Sequence, residues 1–441
     1  MVHLDAIRSA ARSLTPMWTD RIGELVSYES PPGALPQLNA CADLLAGWGE
    51  TILGRPAQRL LRDGLPHLLW PAERQKVLLL GHFDTVWPEG TIREWPYRVR
   101  DGIATGPGVC DMKGGIVQLL AALSLVTDPS DVGVLLTCDE ETGSTTSRAL
   151  IEEQARRSGV VLVCEPSTED GALKVARKGG SVYRVEVRGR AAHAGVEPFR
   201  GINATIELAH QVLAVQALAS VPDGTTVTPT VASAGTTTNT VPESATFCVD
   251  VRSWSRAELH RVDRMMHRLV PRLAEAGLTL GGGLNRYPMT QAVALPLLAL
   301  TRSAAVAIGL EPPAGVSAPG ASDGNFTAAL GVPTLDGLGA VGGYPHGRGE
   351  YMDLRRMPER VALLTALVER LLTGPLPPHL PPAALDTPAG AGSPAPLGAP
   401  AGAGSPSPLD APSLLDPSAR HGSPVARDLQ AGHDVPAGQP G

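Results

Sequence analysis

The chain has 441 residues, 43% of them hydrophobic and 18% charged, with a formal net charge of −7, a length that suits two or three folding units. A mildly acidic chain without a basic patch excludes nucleic-acid binding as its main business, and the lack of any run of about 18 apolar residues excludes a helical membrane span. Five cysteines with no CxxC spacing exclude a disulfide framework and fit the reduced thiols of a cytoplasmic protein, and residues 1–30 lack the apolar stretch of a signal peptide.

In chain order, apolar residues at helical spacing predict a helix over 4–26, ended by Ser30-Pro31-Pro32-Gly33. A second is expected over 35–49, with Pro36 tolerated in its first turn. Short apolar runs without alternation, at 77–80, 132–136 and 160–163, suit strands buried on both faces of a parallel sheet. Helical patterns at 114–125 and 144–158 separate them, which gives the βαβ alternation of an α/β domain. The pattern changes near Lys174. Residues 181–187 alternate, a helix is expected over 203–218, strands over 226–234 and 245–251, a helix over 256–276, and a short strand at 279–280. The order β-α-β-β-α-β is ferredoxin-like. A helix at 295–308, a strand at 334–338 and a closing helix at 358–372 return to the first domain.

The predicted fold is therefore α/β: a mostly parallel-sheet catalytic domain in two parts, 1–174 and 288–373, interrupted by a ferredoxin-like α+β domain at 175–287. Residues 374–441 form a Pro/Gly/Ala-rich tail that nearly repeats twelve residues, 389–400 and 401–412. It has too few large apolar residues to offset the entropy of ordering and is expected to be disordered. It reads either as a linker or interaction tail or as a dispensable extension.

The chemistry lies after the apolar strands. They lead into Gly81-His82-Phe83-Asp84-Thr85, Thr137-Cys138-Asp139-Glu140-Glu141 and Cys164-Glu165-Pro166. In open α/β sheets, ligands sit outside the carboxyl ends of the strands, so these side chains should meet at one edge. Converging carboxylates repel one another unless positive charge lies between them, and one or two divalent metal ions are the simplest source. Two glycine-rich loops add Asp111, in Gly106-Pro107-Gly108-Val109-Cys110-Asp111-Met112-Lys113-Gly114, and His346, in Gly342-Gly343-Tyr344-Pro345-His346-Gly347. Nitrogen and carboxylate ligands without thiolates favour Zn2+, with Co2+ or Mn2+ open.

Those motifs, in that order, resemble the M20 metallopeptidases, and within them the glutamate carboxypeptidase (carboxypeptidase G2-like) group, over residues 10–373. The resemblance implies a zinc exopeptidase-like catalytic domain and a dimerisation domain. It also implies a two-metal centre, with Asp111 bridging, His82 and Glu165 on one ion, and Glu141 and His346 on the other. Asp84 would orient His82, and Glu140 would be the general base. His193, in Arg190-Ala191-Ala192-His193-Ala194-Gly195, would steady the oxyanion from across a homodimer. Asn239 would contact substrate and Arg252 would grip its free carboxylate. Ser322-Asp323-Gly324-Asn325-Phe326 would line the site, and Arg286 is a candidate for side-chain preference. Gly347-Arg348-Gly349-Glu350 departs from the expected pattern and puts Arg348 near the metals. The implied activity is hydrolysis that frees a C-terminal amino acid, such as glutamate, from a peptide or N-acyl conjugate. Alternatives are an N-acyl-amino-acid deacylase (acetylornithine deacetylase-like), a catalytically silent metal- or peptide-binding relative, and a scaffold whose tail is the working part.

Overall fold

A computed structural model describes residues 2–385. Its central sheet has six strands in the order Gln58–Arg62, Leu65–Trp70, Val132–Thr137, Val77–His82, Val160–Val163 and Thr334–Leu335. The last four run parallel and the first two form an antiparallel hairpin on the Val132–Thr137 edge. Side chains alternate across a strand, and here both faces are apolar. Val77 and Leu79 face the helices Val2–Ser27, Leu35–Leu53, Gly115–Leu123, Gln291–Ala307 and Met357–Thr373. Leu78 and Leu80 face Arg148–Arg156 and Gly324–Ala329. This explains why the strands read as unbroken apolar runs, and it leaves only their ends for polar chemistry.

The hairpin is an addition to the expected elements. Its signal was an Asp-Gly pair: Asp63 (φ 49) and Gly64 (φ 83) both take left-handed conformations at its turn, which suits a two-residue hairpin loop. Several boundaries also move. The helix expected from residue 144 begins at Arg148, because the Asp139 carboxylate accepts from Thr146 N (2.7 Å) and Ser147 N (3.3 Å) and holds the preceding turn. The helix expected over 256–276 stops at Met266. Pro271 disfavours helix in the residue before it, and Glu207 accepts from the Arg272 and Leu273 amides instead.

The inserted unit forms a separate four-stranded antiparallel sheet, Thr226–Ala234, Ser244–Ser253, Gly179–Arg188 and Gly277–Arg286 in spatial order. Counted along the chain from Gly179–Arg188, that is the ferredoxin-like order 2-3-1-4. Helices Ala204–Gln216 and Arg256–Met266 cover one face, over Tyr183, Val185, Phe247 and Val249. The last strand runs ten residues despite Gly281-Gly282-Gly283, paired along Gly179–Arg188. Strand Leu173–Arg177, which spans the expected boundary at 174/175, pairs with Gly315–Ala318.

The boundary expected at 373 shifts too. Leu376 and Leu380 pack on the main core, the Leu380 amide donates to Gly331 O (2.7 Å), and a 3-10 turn spans Pro382–Leu385. Three leucines spaced through this segment supply the anchors that its prolines concealed. The remainder of the predicted disordered tail, residues 386–441, lies outside the described residues.

Candidate metal centre

The strand ends bring together seven of the residues expected to matter: His82, Asp84, Asp111, Glu140, Glu141, Glu165 and His346. His82 closes strand Val77–His82, Glu140 and Glu141 open a 3-10 turn after Val132–Thr137, and Glu165 follows Val160–Val163. A small sheet, ordered Gly342–Gly343, Tyr351–Asp353, Ile103–Thr105 and Arg98–Arg100, seats the His346 loop beside the segment leading to Asp111. Close packing at this edge depends on Gly115, where a Cβ would lie 2.1 Å from the Cys164 carbonyl oxygen.

Asp111 stands between two groups of ligands. His82 Nε2 lies 3.3 Å from Asp111 Oδ1 and 3.5 Å from Glu165 Oε1. On the other side, His346 Nε2 lies 3.6 Å from Asp111 Oδ2 and 3.2 Å from Glu141 Oε2. Within each of the sets His82–Asp111–Glu165 and Asp111–Glu141–His346, donor atoms lie within 4.8 Å of one another. Asp111 Oδ1 and Glu141 Oε1 are buried with no hydrogen-bond partner among the described residues. Buried acceptors are almost always satisfied, so these orphaned oxygens and the N/O donor set fit two divalent cations sharing Asp111.

The electrostatics agree. Burial pulls the His82 pKa down, but Asp111, Asp84 and Glu165 outweigh it and hold the imidazole well above its usual range. Hydrogen bonding to Glu141 raises His346 to about 9. Burial pushes Glu140 well above the carboxylate range, with the Arg286 guanidinium opposing.

Supporting contacts fix the candidate ligands. Asp84 places its carbonyl 3.1 Å and its carboxylate 3.4 Å from His82 Nδ1, which turns Nε2 toward Asp111. The same carboxylate accepts from the Glu140 (3.3 Å) and Glu141 (3.0 Å) amides. One side chain therefore ties the imidazole to the turn carrying the base. Arg177 reaches Glu165 Oε2 at 3.4 Å while its fork pairs with Asp336 at 2.6 and 3.1 Å.

The remaining expected residues lie apart, on the inserted unit. His193 is exposed, and its Nδ1 accepts from the Gly195 and Val196 amides, each at 3.1 Å. That leaves the proton on Nε2. Its two-residue strand pairs with Thr240–Val241, and the Ala194 amide donates to Asn239 O (2.9 Å), so His193 and Asn239 are neighbours. The Arg252 fork pairs with Asp250 at 2.8–3.0 Å. Arg348 turns to the exposed Glu94 (2.7 Å) rather than toward the acidic cluster.

Four residues escaped the sequence reading or were given another part. Arg286 Nη2 donates to Glu140 Oε1 (2.9 Å), Ser144 Oγ (2.7 Å) and Asp323 Oδ1 (3.0 Å), so it braces the expected base. Asp323, first placed only as lining, completes that network and also accepts from Thr137 Oγ1 (3.2 Å). Arg177 and Glu350 left no motif. All five cysteines are free, and no helix among the described residues is long and apolar enough to cross a membrane.

Residues 78–370 match the model of peptidase family M20/M25/M40. Carboxypeptidase G2 of Pseudomonas sp. (strain RS-16) is 31% identical over 314 residues, 68% of this chain and 75% of that protein. Succinyl-diaminopimelate desuccinylase of Granulibacter bethesdensis is 28% identical over 332 residues, 68% of this chain and 83% of that one. Among solved structures, an M20 metallo-carboxypeptidase, Sso-CP2 from Sulfolobus solfataricus, superposes with a TM-score of 0.66 at 16% identity, covering 80% of this chain and 99% of that chain. The protein belongs to the M20 peptidase family and is a metal-dependent hydrolase of the peptidase and amidohydrolase class.

Proposed function

We propose that the protein frees a C-terminal amino acid from a peptide or N-acyl conjugate, with glutamate the first residue to test, and acts in the cytoplasm. The observation that carries this reading is the placement of Glu140: its carboxylate, 12% exposed, stands one residue from the proposed ligand Glu141, and Arg286 Nη2 holds its Oε1 at 2.9 Å. His82, Glu165, Glu141, His346 and the shared Asp111 would hold two divalent ions, most simply Zn2+. Bound there, the ions would acidify a water and draw electron density from the scissile carbonyl. Glu140 would take the water's proton and pass it to the leaving nitrogen. His193 carries a hydrogen-bond donor at Nε2 that suits a developing oxyanion. A homodimer would let a second copy supply it, and the open edge strand Thr226–Ala234, mostly exposed, suits such pairing. Asn239 and Arg252 are proposed for substrate contact, with Arg252 leaving Asp250 to do so.

A second reading, N-acyl-amino-acid deacylation, is favoured by the similarity to the desuccinylase. A panel of N-acetyl and N-succinyl amino acids against benzoyl- and folyl-glutamate, run on metal-loaded protein, separates the two. In either case Glu140→Ala should lower kcat by about 10²–10⁴-fold with metal content unchanged. Unchanged turnover would end both.

A further inference from the structure

Glu350 is fully buried, yet among the described residues no basic side chain hydrogen-bonds it. Its carboxylate instead collects four N–H donors: Oε1 accepts from the Cys110 (2.8 Å) and Asp111 (3.0 Å) amides, and Oε2 from the Gly108 amide (3.0 Å) and Trp87 Nε1 (3.1 Å). Burying a carboxylate is costly unless its acceptor capacity is filled, and here the filling comes from two segments and ties them to a third, each of the three carrying an expected metal ligand. Trp87 lies in the loop after His82, the three amides belong to the loop of Asp111, and Glu350 itself follows His346 by four residues. The Asp111 stretch has little regular structure of its own, with φ −111 and ψ 98 at Asp111. Its backbone is aimed by what it donates to.

We infer that Glu350 is a positioning residue: by gripping the amides around Asp111 and the indole of Trp87, it sets the angle at which Asp111 presents one oxygen to each half of the metal centre. The inference rests on the two-ion reading above. It predicts a particular signature. A group that aims only one ligand should weaken one ion, whereas Glu350 should weaken both together, because Asp111 is shared.

Glu350→Gln tests this, since it keeps the shape but turns an NH2 toward N–H donors. The full-length protein would be stripped of metal and titrated with Zn2+ against a chromophoric chelator, alongside the melting temperature of the metal-free form. The expected result is two ions in the parent protein, both weakened by about 10–100-fold in the variant, with the metal-free variant still melting in one cooperative transition, somewhat below the parent. Parent affinities in the variant, or a loss confined to one ion, would overturn the inference while leaving the two-ion reading intact. A parent protein that takes up no second ion would overturn that reading and the inference with it. Should the variant fail to fold, hydrogen exchange on the metal-free parent decides. The Gly108, Cys110 and Asp111 amides should be protected, and exchange as fast as exposed loop amides would overturn the role of Glu350.

Discussion

The two halves of the candidate metal centre are built differently. The half around His82 and Glu165 is sealed: the His82 side chain is 2% exposed and that of Glu165 is 8%. It grows directly from strands buried on both faces, and each ligand has a polar partner behind it, Asp84 for His82 and Arg177 for Glu165. The half around Glu141 and His346 is open on one side. His346 is 53% exposed, sits in a left-handed conformation (φ 63) on a glycine-flanked loop, and nothing among the described residues hydrogen-bonds its Nδ1. A ligand held by a strand end and a second side chain is set before any ion arrives, whereas one on an exposed turn is set partly by the ion. The sealed half should therefore hold its ion more tightly, and the open half should yield to a substrate.

Replacing the shared residue should have the largest effect. Asp111→Asn is expected to remove both ions and to lower kcat/KM by about 10³-fold or more; retention of either ion at parent affinity would break the picture of a shared ligand. Next comes the contrast between halves. His82→Ala leaves buried carboxylates facing one another and should cost about 3–5 kcal/mol in chemical denaturation of the metal-free protein. His346→Ala should leave that stability nearly unchanged while weakening one ion. Equal destabilisation by the two would refute the difference.

Limited chelation should then strip one equivalent of metal well before the other, and His346→Ala should abolish the fast phase. Asp84→Asn should weaken metal binding or activity by about 10–100-fold, measured by zinc competition and kcat. The smallest effect belongs to Arg348→Ala. Its pair with Glu94 is exposed on both sides, and such pairs contribute at most about 1 kcal/mol. A large change in activity would show that the open half depends on this outer contact.

Much of the candidate metal centre, His82, Glu140, Glu141 and Glu165, was legible in the sequence because the sheet does the gathering, while Asp111 and His346 were marked only by their glycine-rich loops. Strands buried on both faces have one place for polar residues, so each apolar run that ended in His, Asp or Glu announced its position. The ferredoxin-like insert was legible from alternation at 181–187 and from element order. What stayed hidden were partnerships across long separations. Arg177 meets Asp336 beside the short strands Gly315–Ala318 and Thr334–Leu335, and Glu350 meets Gly108 beside Tyr351–Asp353, and such short strands carry no period to read. Arg252, expected to grip a substrate carboxylate, is paired with Asp250 two residues away on the same face of its strand.

The path by which the inserted unit rejoins the body has a mechanical meaning. Asn285 donates to Gly143 O (2.9 Å) and accepts from Arg148 (3.1 Å), and the adjacent Arg286 grips Glu140. The return strand is thus bolted to the turn that bears Glu140. Any displacement of that strand would be passed through these two residues to the turn carrying Glu140.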